Sequence, residues 1–371
     1  MSATPRLAPD AIDFAFVKAG SDALPTPGRV YVDVGNRFAD GVLDHHAPGT
    51  PAQCSAQLAL DHLRHVWSQV GADGRVTILT HEYPDMDAVS GIYFARAHLL
   101  GEPLDAAARA WAGYACAVDR GYTRLDPSRP VRPYSVFMLH LRQASEGAED
   151  APAASRRSLQ AGLWLVHTLL AQLRRGIALD DPAIVAGIGE LDPSVQAVRA
   201  DHAAYLRDLL RADCFHCRLP RADGRGLSSV PGIWIDRPRA ALFKSWARGD
   251  RRAAARPDGF VFTGVQLSDE RAILSVAPGS GVTLRGLGDR LEAAETRKRA
   301  RLGRPRTGEH RPGYDAPDPW YDGRAPLHAY TIVDAPRAGT VLTAAEIRAT
   351  FDQVLMDWAE RDKREGDVGA P

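Results

Sequence analysis

Apolar residues in the first 143 positions follow two spacings, one typical of buried strands and one typical of helices. Short apolar runs end in acidic or histidine residues, and longer stretches repeat their apolar positions every three or four residues. The predicted strands are residues 29–33, 41–44 and 75–80, and the predicted helices are 54–70, 87–100 and 104–118. Strands that alternate with helices of this length predict an open, mainly parallel sheet covered on both faces.

The remaining chain is expected to form two further parts. Residues 144–157 are rich in Ala, Ser, Glu and Pro, which indicates a linker, and helices are predicted near 158–175 and 194–212. Beyond them, the predicted strands are 233–235, 259–267, 272–276 and 328–333, and the predicted helices are 287–302 and 344–360. The sequence therefore predicts an α/β N-terminal domain at 1–143, a linker and helical segment at 144–212, and a smaller α+β C-terminal domain at 213–371.

Composition and charge exclude several classes of function. The 46 Lys and Arg residues balance the 46 Asp and Glu residues, so affinity for phosphate must be local, which argues against a DNA-coating protein. The pair Cys214 and Cys217 has metal-site spacing but lacks a second pair, so two ordinary thiols are favoured. No signal pattern opens the chain and no apolar run reaches the ~18 residues of a membrane helix, so a cytoplasmic enzyme without membrane contact is expected.

Acidic and histidine residues cluster where the predicted strands and helices of the N-terminal domain end. Because ligands bind at the carboxyl ends of strands in an open α/β sheet, residues at these ends are expected to be neighbours in space. The candidates are Asp33, Asp44, His45, His46, His81, Asp85, Asp87 and Asp119.

This combination of side chains favours a metal centre. Carboxylates and imidazoles together suit Mn²⁺, Co²⁺, Zn²⁺ and, less well, Mg²⁺, and the set is large enough for two ions. Taken alone, Asp33 is more often a cap or turn residue, Asp119 is more often a cap or surface acid, and His81 could be an interior histidine. Taken together, so many carboxylates would repel one another without cations. Two divalent ions are therefore predicted as cofactors, with Mn²⁺ first and Mg²⁺, Co²⁺ or Zn²⁺ as alternatives.

The same residues resemble the motifs of the DHH phosphoesterase superfamily, which includes RecJ-type exonucleases, oligoribonucleases, cyclic-dinucleotide phosphodiesterases and manganese pyrophosphatases. The triplet Asp44-His45-His46 is similar to the motif that gives the superfamily its name. The other family motifs are matched by His81, Asp85, Asp87, Asp33 and Asp119. The resemblance covers residues 30–121. In the family the His81-type motif precedes the other two, whereas here it follows both, which implies a permuted connection.

The resemblance implies a dinuclear site that hydrolyses phosphate esters. One ion would be held by Asp33, His81 and Asp85, and the other by His45, Asp87, Asp119 and the shared Asp33. His46 is then expected to face the substrate phosphate, and Asp44 to orient His45. The expected activity is hydrolysis of phosphodiester or phosphoanhydride bonds in a nucleotide or short oligonucleotide by a water that two metals activate.

Substrate contacts are expected from the C-terminal domain. Residues 285–311 contain nine Lys or Arg against four Asp or Glu, although much of this stretch is also typical of a solvated amphipathic helix. An aromatic loop follows, and such a loop either stacks a base or simply anchors itself. The candidate substrate-binding residues are Arg285, Arg311, Trp320 and Arg324. The partner is expected to be a phosphate-containing small molecule or short oligonucleotide, and a homodimer is left open.

Several other functions remain open from the sequence. The alternatives within the same class are a single-strand-specific exonuclease and an inorganic pyrophosphatase. A catalytically silent nucleotide-sensing module would bind metal without hydrolysis. A metal-dependent amide or deaminating hydrolase uses similar ligands, but the adjacent histidines and many carboxylates disfavour it.

Overall fold

A computed structural model describes residues 6–122, 124–252, 258–307, 310–311 and 313–368. The chain divides into two units. The first unit comprises Met1–Thr123, Pro130–Arg199 and Ala325–Leu327. The second comprises Arg124–Arg129, Ala200–Arg324 and His328–Pro371.

The first unit is built on a five-stranded sheet. Its strands are β1 (Ile12–Val17), β2 (Arg29–Val32), β3 (Phe38–Ala39), β4 (Val42–Leu43) and β5 (Val76–His81). They lie in the order β1-β5-β2-β4-β3, and only the β3–β4 pair is antiparallel. β5 pairs with both β1 and β2, and β2 pairs with β4, all in the parallel direction. The polar residues at the carboxyl ends of β2, β4 and β5 therefore meet at one edge of the sheet. The α/β class and the mainly parallel sheet predicted for this region are confirmed.

Seven α-helices lie in the described residues of the chain up to position 209. They are α1 (Ser55–Asp61), α2 (Leu63–Trp67), α3 (Met86–Leu100), α4 (Ala106–Asp119), α5 (Pro133–Ser145), α6 (Ala151–Arg174) and α7 (Asp192–Leu209). Helix α3 is buried on nearly every side, which explains why its sequence is apolar all round. It ends at Gly101, whose φ of 68° is the left-handed conformation that glycine adopts most easily.

Some local expectations for the first unit were wrong. The helix expected at 54–70 is interrupted at His62, whose backbone leaves the helical conformation and whose ring packs against Phe38 at 4.8 Å. Most of the expected linker at 144–157 is helical, because it is rich in alanine and Asp150 caps α6 by accepting a hydrogen bond from Ala153 N at 2.7 Å. The first unit extends to Arg199, so α6 and part of α7 belong to it.

The second unit is built on a mixed sheet. Its strands are β6 (Asp213–Pro220), β7 (Leu227–Asp236), β8 (Phe262–Ser268), β9 (Arg271–Val276) and β10 (Ile332–Asp334). They lie in the order β10-β9-β8-β7-β6, and the β7–β8 pair is parallel. The helices are α8 (Phe243–Gly249), α9 (Leu287–Leu302) and α10 (Ala344–Val368). Aromatic residues fill the core, where Phe262 stacks on Phe351 at 4.5 Å.

Candidate metal centre

The eight acidic and histidine residues singled out from the sequence come together in the first unit. Asp33 directly follows β2, the Asp44 triplet follows β4, and His81 ends β5. Asp85 caps α3 by accepting hydrogen bonds from the backbone N–H groups of Asp87 and Ala88 at 2.9 and 3.1 Å. Helix α4 contributes its last residue, Asp119. Parallel strand ends and two helix termini therefore converge on one place.

Asp33 lies at the centre of this cluster. Its side chain is 4 % exposed, and its backbone adopts a φ of 60°, a conformation that Asp and Asn tolerate better than most residues. Oδ2 of Asp33 lies 3.3 Å from His81 Nε2. Oδ1 lies 3.7 Å from Nδ1 of both His45 and His46. The carboxylate thus faces three imidazoles at once.

The cluster divides into overlapping groups whose ligand atoms all lie within 4.8 Å of one another. These groups are Asp33, His81 and Asp85; then His45, Asp87 and Asp119; and then Asp33, Asp44, His45 and His46. Buried carboxylates and imidazoles at such spacing could bind a metal ion.

The hydrogen bonds of His81 indicate a cation beside Asp33. Nδ1 of His81 lies 2.8 Å from the carbonyl oxygen of Glu82, so it donates its hydrogen there. In the neutral ring, Nε2 then directs a lone pair at the Asp33 carboxylate, and two acceptors face each other. Burial acts to lower the pKa of His81, but Asp33 and Asp85 outweigh it and raise that pKa to about 9. A proton on Nε2 therefore supplies the positive charge that a metal ion would supply.

The crowding of acidic residues around Asp87 and Asp119 also favours a cation in this cluster. Burial, followed by the neighbouring carboxylates, raises the pKa of both Asp87 and Asp119 well above the usual range. Asp119 Oδ2 is buried, and among the described residues it has no hydrogen-bond partner. Asp119 also ends α4, where the helix dipole disfavours a negative charge. A divalent cation would relieve each of these costs.

Two thiols lie beside the cluster, and neither was among the residues predicted for it. The buried Cys54 is close enough to Asp87 and Cys116 for both to affect its pKa. Burial raises the pKa of Cys54 far above its usual range, so this group stays a neutral thiol. Only thiolates are good metal ligands. The neighbouring Cys54 lowers the pKa of Cys116 to about 7, but neither cysteine belongs to a ligand group of the described residues, so the oxygen and imidazole donors define the site.

Asp44 orients His46 rather than His45, so the role expected for Asp44 from the family resemblance was wrong. Its Oδ1 lies 2.7 Å from His46 Nδ1, and its Oδ2 accepts a hydrogen bond from Asn36 N at 2.5 Å. Burial alone would raise the pKa of Asp44, but His46, His45 and these hydrogen bonds hold it far below the usual range. The ionised Asp44 thus fixes the ring of His46, which hydrogen-bonds to this carboxylate two positions earlier in the chain.

Ser55 is a site residue that the sequence did not reveal. The hydroxyl of Ser55 donates to Asp33 Oδ1 at 3.0 Å, and His45 Nδ1 lies 3.2 Å from Ser55 Oγ. Since the only hydroxyl hydrogen goes to Asp33, His45 Nδ1 is the donor of the second bond. Nε2 of His45 is then directed at Asp119 Oδ2, 3.3 Å away. Ser55 thereby sets the orientation of His45.

Substituting Ser55→Ala is expected to weaken metal binding by about 10- to 100-fold, since a partner that orients a ligand typically contributes this much. Competition with a fluorescent chelator measures the change. Ser158→Ala is a matched control, because Ser158 is equally buried but donates to the carbonyl of Leu141. An unchanged affinity in Ser55→Ala would show that His45 is held by other contacts.

Two of the four candidate substrate-binding residues have structural roles in the second unit. Trp320 is only 1 % exposed and belongs to the aromatic core, so the expected base stacking was wrong for this residue. Arg324 donates to both carboxylate oxygens of Asp322 at 2.8 and 2.7 Å and to the carbonyl of Gly313 at 2.7 Å. These hydrogen bonds engage the donors of its guanidinium and hold together the loop of residues 313–324.

The other two candidates, Arg285 and Arg311, stack on aromatic rings. The guanidinium of Arg285 lies 4.2 Å from the ring centre of Tyr330, and that of Arg311 lies 3.9 Å from the ring centre of Tyr321. Arg285 is exposed, whereas Arg311 is buried. Stacking leaves the edge of a guanidinium available for hydrogen bonds.

Comparisons of the chain with protein-family models, with curated proteins and with solved structures found no match. Among the described residues, no helix has both the length and the apolar character needed to cross a membrane.

Proposed function

We propose that this protein is a metal-dependent phosphoesterase that hydrolyses phosphodiester or phosphoanhydride bonds of a nucleotide or short oligonucleotide. The observation that carries the proposal is the presence of two ligand groups beside each other in the first unit. One contains Asp33, His81 and Asp85, and the other contains His45, Asp87 and Asp119. Asp33 also lies 3.7 Å from His45, so its carboxylate is placed to serve both groups.

The donor set fits two divalent cations, and we propose Mn²⁺ as the preferred ion. Hard carboxylate oxygens mixed with imidazoles are the ligands that suit Mn²⁺, whereas Zn²⁺ and Co²⁺ tolerate the same set. When bound, such a pair would acidify a water molecule and offset charge on the phosphate oxygens. This fit explains why the chain keeps several carboxylates buried together at a cost in electrostatic energy.

His46 is the residue proposed to contact substrate. Its side chain is 23 % exposed, whereas that of His45 is fully buried. The ionised Asp44 hydrogen-bonds to Nδ1 and fixes the ring, so that His46 can contact a phosphate oxygen of the substrate. Asp44 is a positioning residue in this scheme. Arg285 and Arg311, in the second unit, are proposed to bind phosphate groups.

Membership of the DHH superfamily is part of the proposal. The position of β5 beside β2 supports it, because His81 and Asp33 become neighbours although their motifs are permuted along the chain. The neutral net charge supports a short substrate over a long polymer, since polymer binding usually requires an extended basic surface.

The proposal is tested by hydrolysis of a substrate panel with Mn²⁺, Mg²⁺, Co²⁺ or Zn²⁺, and with EDTA. The panel contains inorganic pyrophosphate, nucleoside triphosphates, cyclic and linear dinucleotides, and single-stranded oligonucleotides. We expect Mn²⁺-dependent release of phosphate or nucleotide that EDTA abolishes. Processive shortening of the oligonucleotides would assign the exonuclease instead. Two bound metal ions with no turnover of any member would overturn the hydrolase and favour a sensor.

A further inference from the structure

Arg311, in the second unit, is a buried positive charge that needs a negatively charged partner. It is 7 % exposed, and its guanidinium lies 3.9 Å from the ring centre of Tyr321, which is itself buried. Nε of Arg311 is buried and has no hydrogen-bond partner among the residues that the structure describes. A guanidinium is always charged in proteins, and a buried charge normally has a partner. A missing anion would account for this arrangement.

The neighbouring residues add further positive charge. Tyr321 and Asp334 are joined by two backbone hydrogen bonds, of 2.9 and 2.7 Å, so the stacked Arg311 lies beside β10. Burial raises the pKa of Asp334, although four cations act to lower it: Lys244, Arg337, Arg311 and Arg271. Asp334 Oδ1 is buried and is also without a hydrogen-bond partner in the described part of the chain. Asp334 therefore lies in a mainly positive environment.

The backbone of Arg337 is held in place by Asp318. Both oxygens of Asp318 accept backbone hydrogen bonds, from Arg337 N and Ala338 N, each at 2.8 Å. Burial and then repulsion by Arg311 lower the pKa of Arg337, whereas Asp334 and Asp318 act to raise it, and part of the side chain is exposed. A bound anion between like charges would turn this repulsion into attraction.

We propose that the second unit contains an oxyanion-binding site centred on the buried guanidinium of Arg311, which takes a phosphate group. Tyr321 supports the guanidinium from its face and leaves the guanidinium edge to donate to phosphate oxygens. Asp334 limits the affinity, because its negative charge competes with the anion. This site deepens the proposed function, whose substrate carries phosphate, but it requires neither metal nor turnover.

Titration calorimetry of the full chain in EDTA tests the site independently of hydrolysis. Inorganic phosphate and adenosine monophosphate are the probes, and chloride is the background anion. We expect phosphate to bind, Arg311→Gln to weaken binding at least ~10-fold as loss of a charged hydrogen bond predicts, and Arg311→Lys to give an intermediate affinity. Asp334→Asn is expected to strengthen binding. Tighter binding of the nucleotide than of phosphate would identify an ester as the ligand, and equal binding would identify the free anion.

Arg348→Gln is the matched control. Arg348 is also stacked on an aromatic ring of the second unit, 4.6 Å from that of Phe215, but it is paired with Asp213 and Asp352. Its substitution should leave phosphate affinity unchanged. No phosphate binding by the wild type, or equal binding by wild type, Arg311→Gln and Arg311→Lys, would overturn the site. Either result would leave metal-dependent hydrolysis to be judged by its own assay.

Discussion

Substituting Asp119→Asn is expected to stabilise the metal-free protein while reducing metal-dependent hydrolysis by at least ~100-fold. The carboxylate is buried at the C-terminal end of α4, its Oδ2 has no hydrogen-bond partner among the described residues, and its pKa is raised by burial and by Asp87. Each unit by which folding raises this pKa costs about 1.4 kcal/mol at neutral pH. Asparagine keeps the shape and removes the charge, so a gain of about 1 kcal/mol or more is expected.

Thermal unfolding in EDTA and hydrolysis in Mn²⁺ measure the two effects on the same preparation. Asp105→Asn is the matched control at the opposite end of α4, where the aspartate caps the helix and pairs with Arg174. The control should lose a little stability and keep its activity. If Asp119→Asn lowers the stability of the metal-free protein, the acid is satisfied without a cation, and the metal assignment of this residue fails.

The metal-free protein is expected to lose stability as the pH rises from about 4 to about 9, and saturating Mn²⁺ is expected to remove most of this dependence. The pKa values of Asp85, Asp87 and Asp119 are raised by burial and neighbouring acids above the 3.8 of a free carboxyl. Their contribution is full below that value and is lost as the pH passes their raised folded values. The pKa of His81 is raised from 6.5 to about 9, so its contribution is full below 6.5 and disappears toward pH 9.

The three aspartates and His81 therefore all lower the stability of the metal-free protein as the pH rises from about 4 to about 9. His81 alone accounts for roughly 3 kcal/mol between its two limits. Mn²⁺ at 100 times its dissociation constant adds about 2.7 kcal/mol per site, more at high pH where protons no longer compete for the ligands. Urea unfolding at several pH values, with EDTA or with Mn²⁺, measures the difference. A metal-free stability that rises between pH 5 and 9 would contradict the crowding of acids in this cluster.

The residues of the candidate metal centre were predictable because their positions depend on chain topology alone. Asp33, Asp44 and His81 follow three strands, and the carboxyl ends of parallel strands meet at one edge whatever the details of packing. The sharp ends of α3 were also predictable, since Asp85 and Gly101 are strong helix-boundary signals. Topology therefore determined which residues meet.

Their hydrogen-bond partners were not predictable, because they depend on side-chain direction. The pairing of Asp44 with His46 instead of His45, and of His45 with Ser55, is decided by rotations of a few bonds within a buried cluster. The same limit applies to Trp320. A Trp-Tyr pair in a loop rich in Pro and Gly has the same sequence whether the indole lies in solvent or in a core, as it does here.

Asp87 has a second role that separates it from Asp119. Its two oxygens accept hydrogen bonds from Ser55 N at 2.8 Å and Ala56 N at 2.9 Å, and so hold the beginning of α1. A descendant of this protein that abandoned its chemistry would still need Asp87 in order to fold, and drift would retain it. Asp119 gives the fold nothing comparable, so it would be among the first to disappear. In related chains, the presence or absence of Asp119 therefore distinguishes retention of the function from retention of the fold alone.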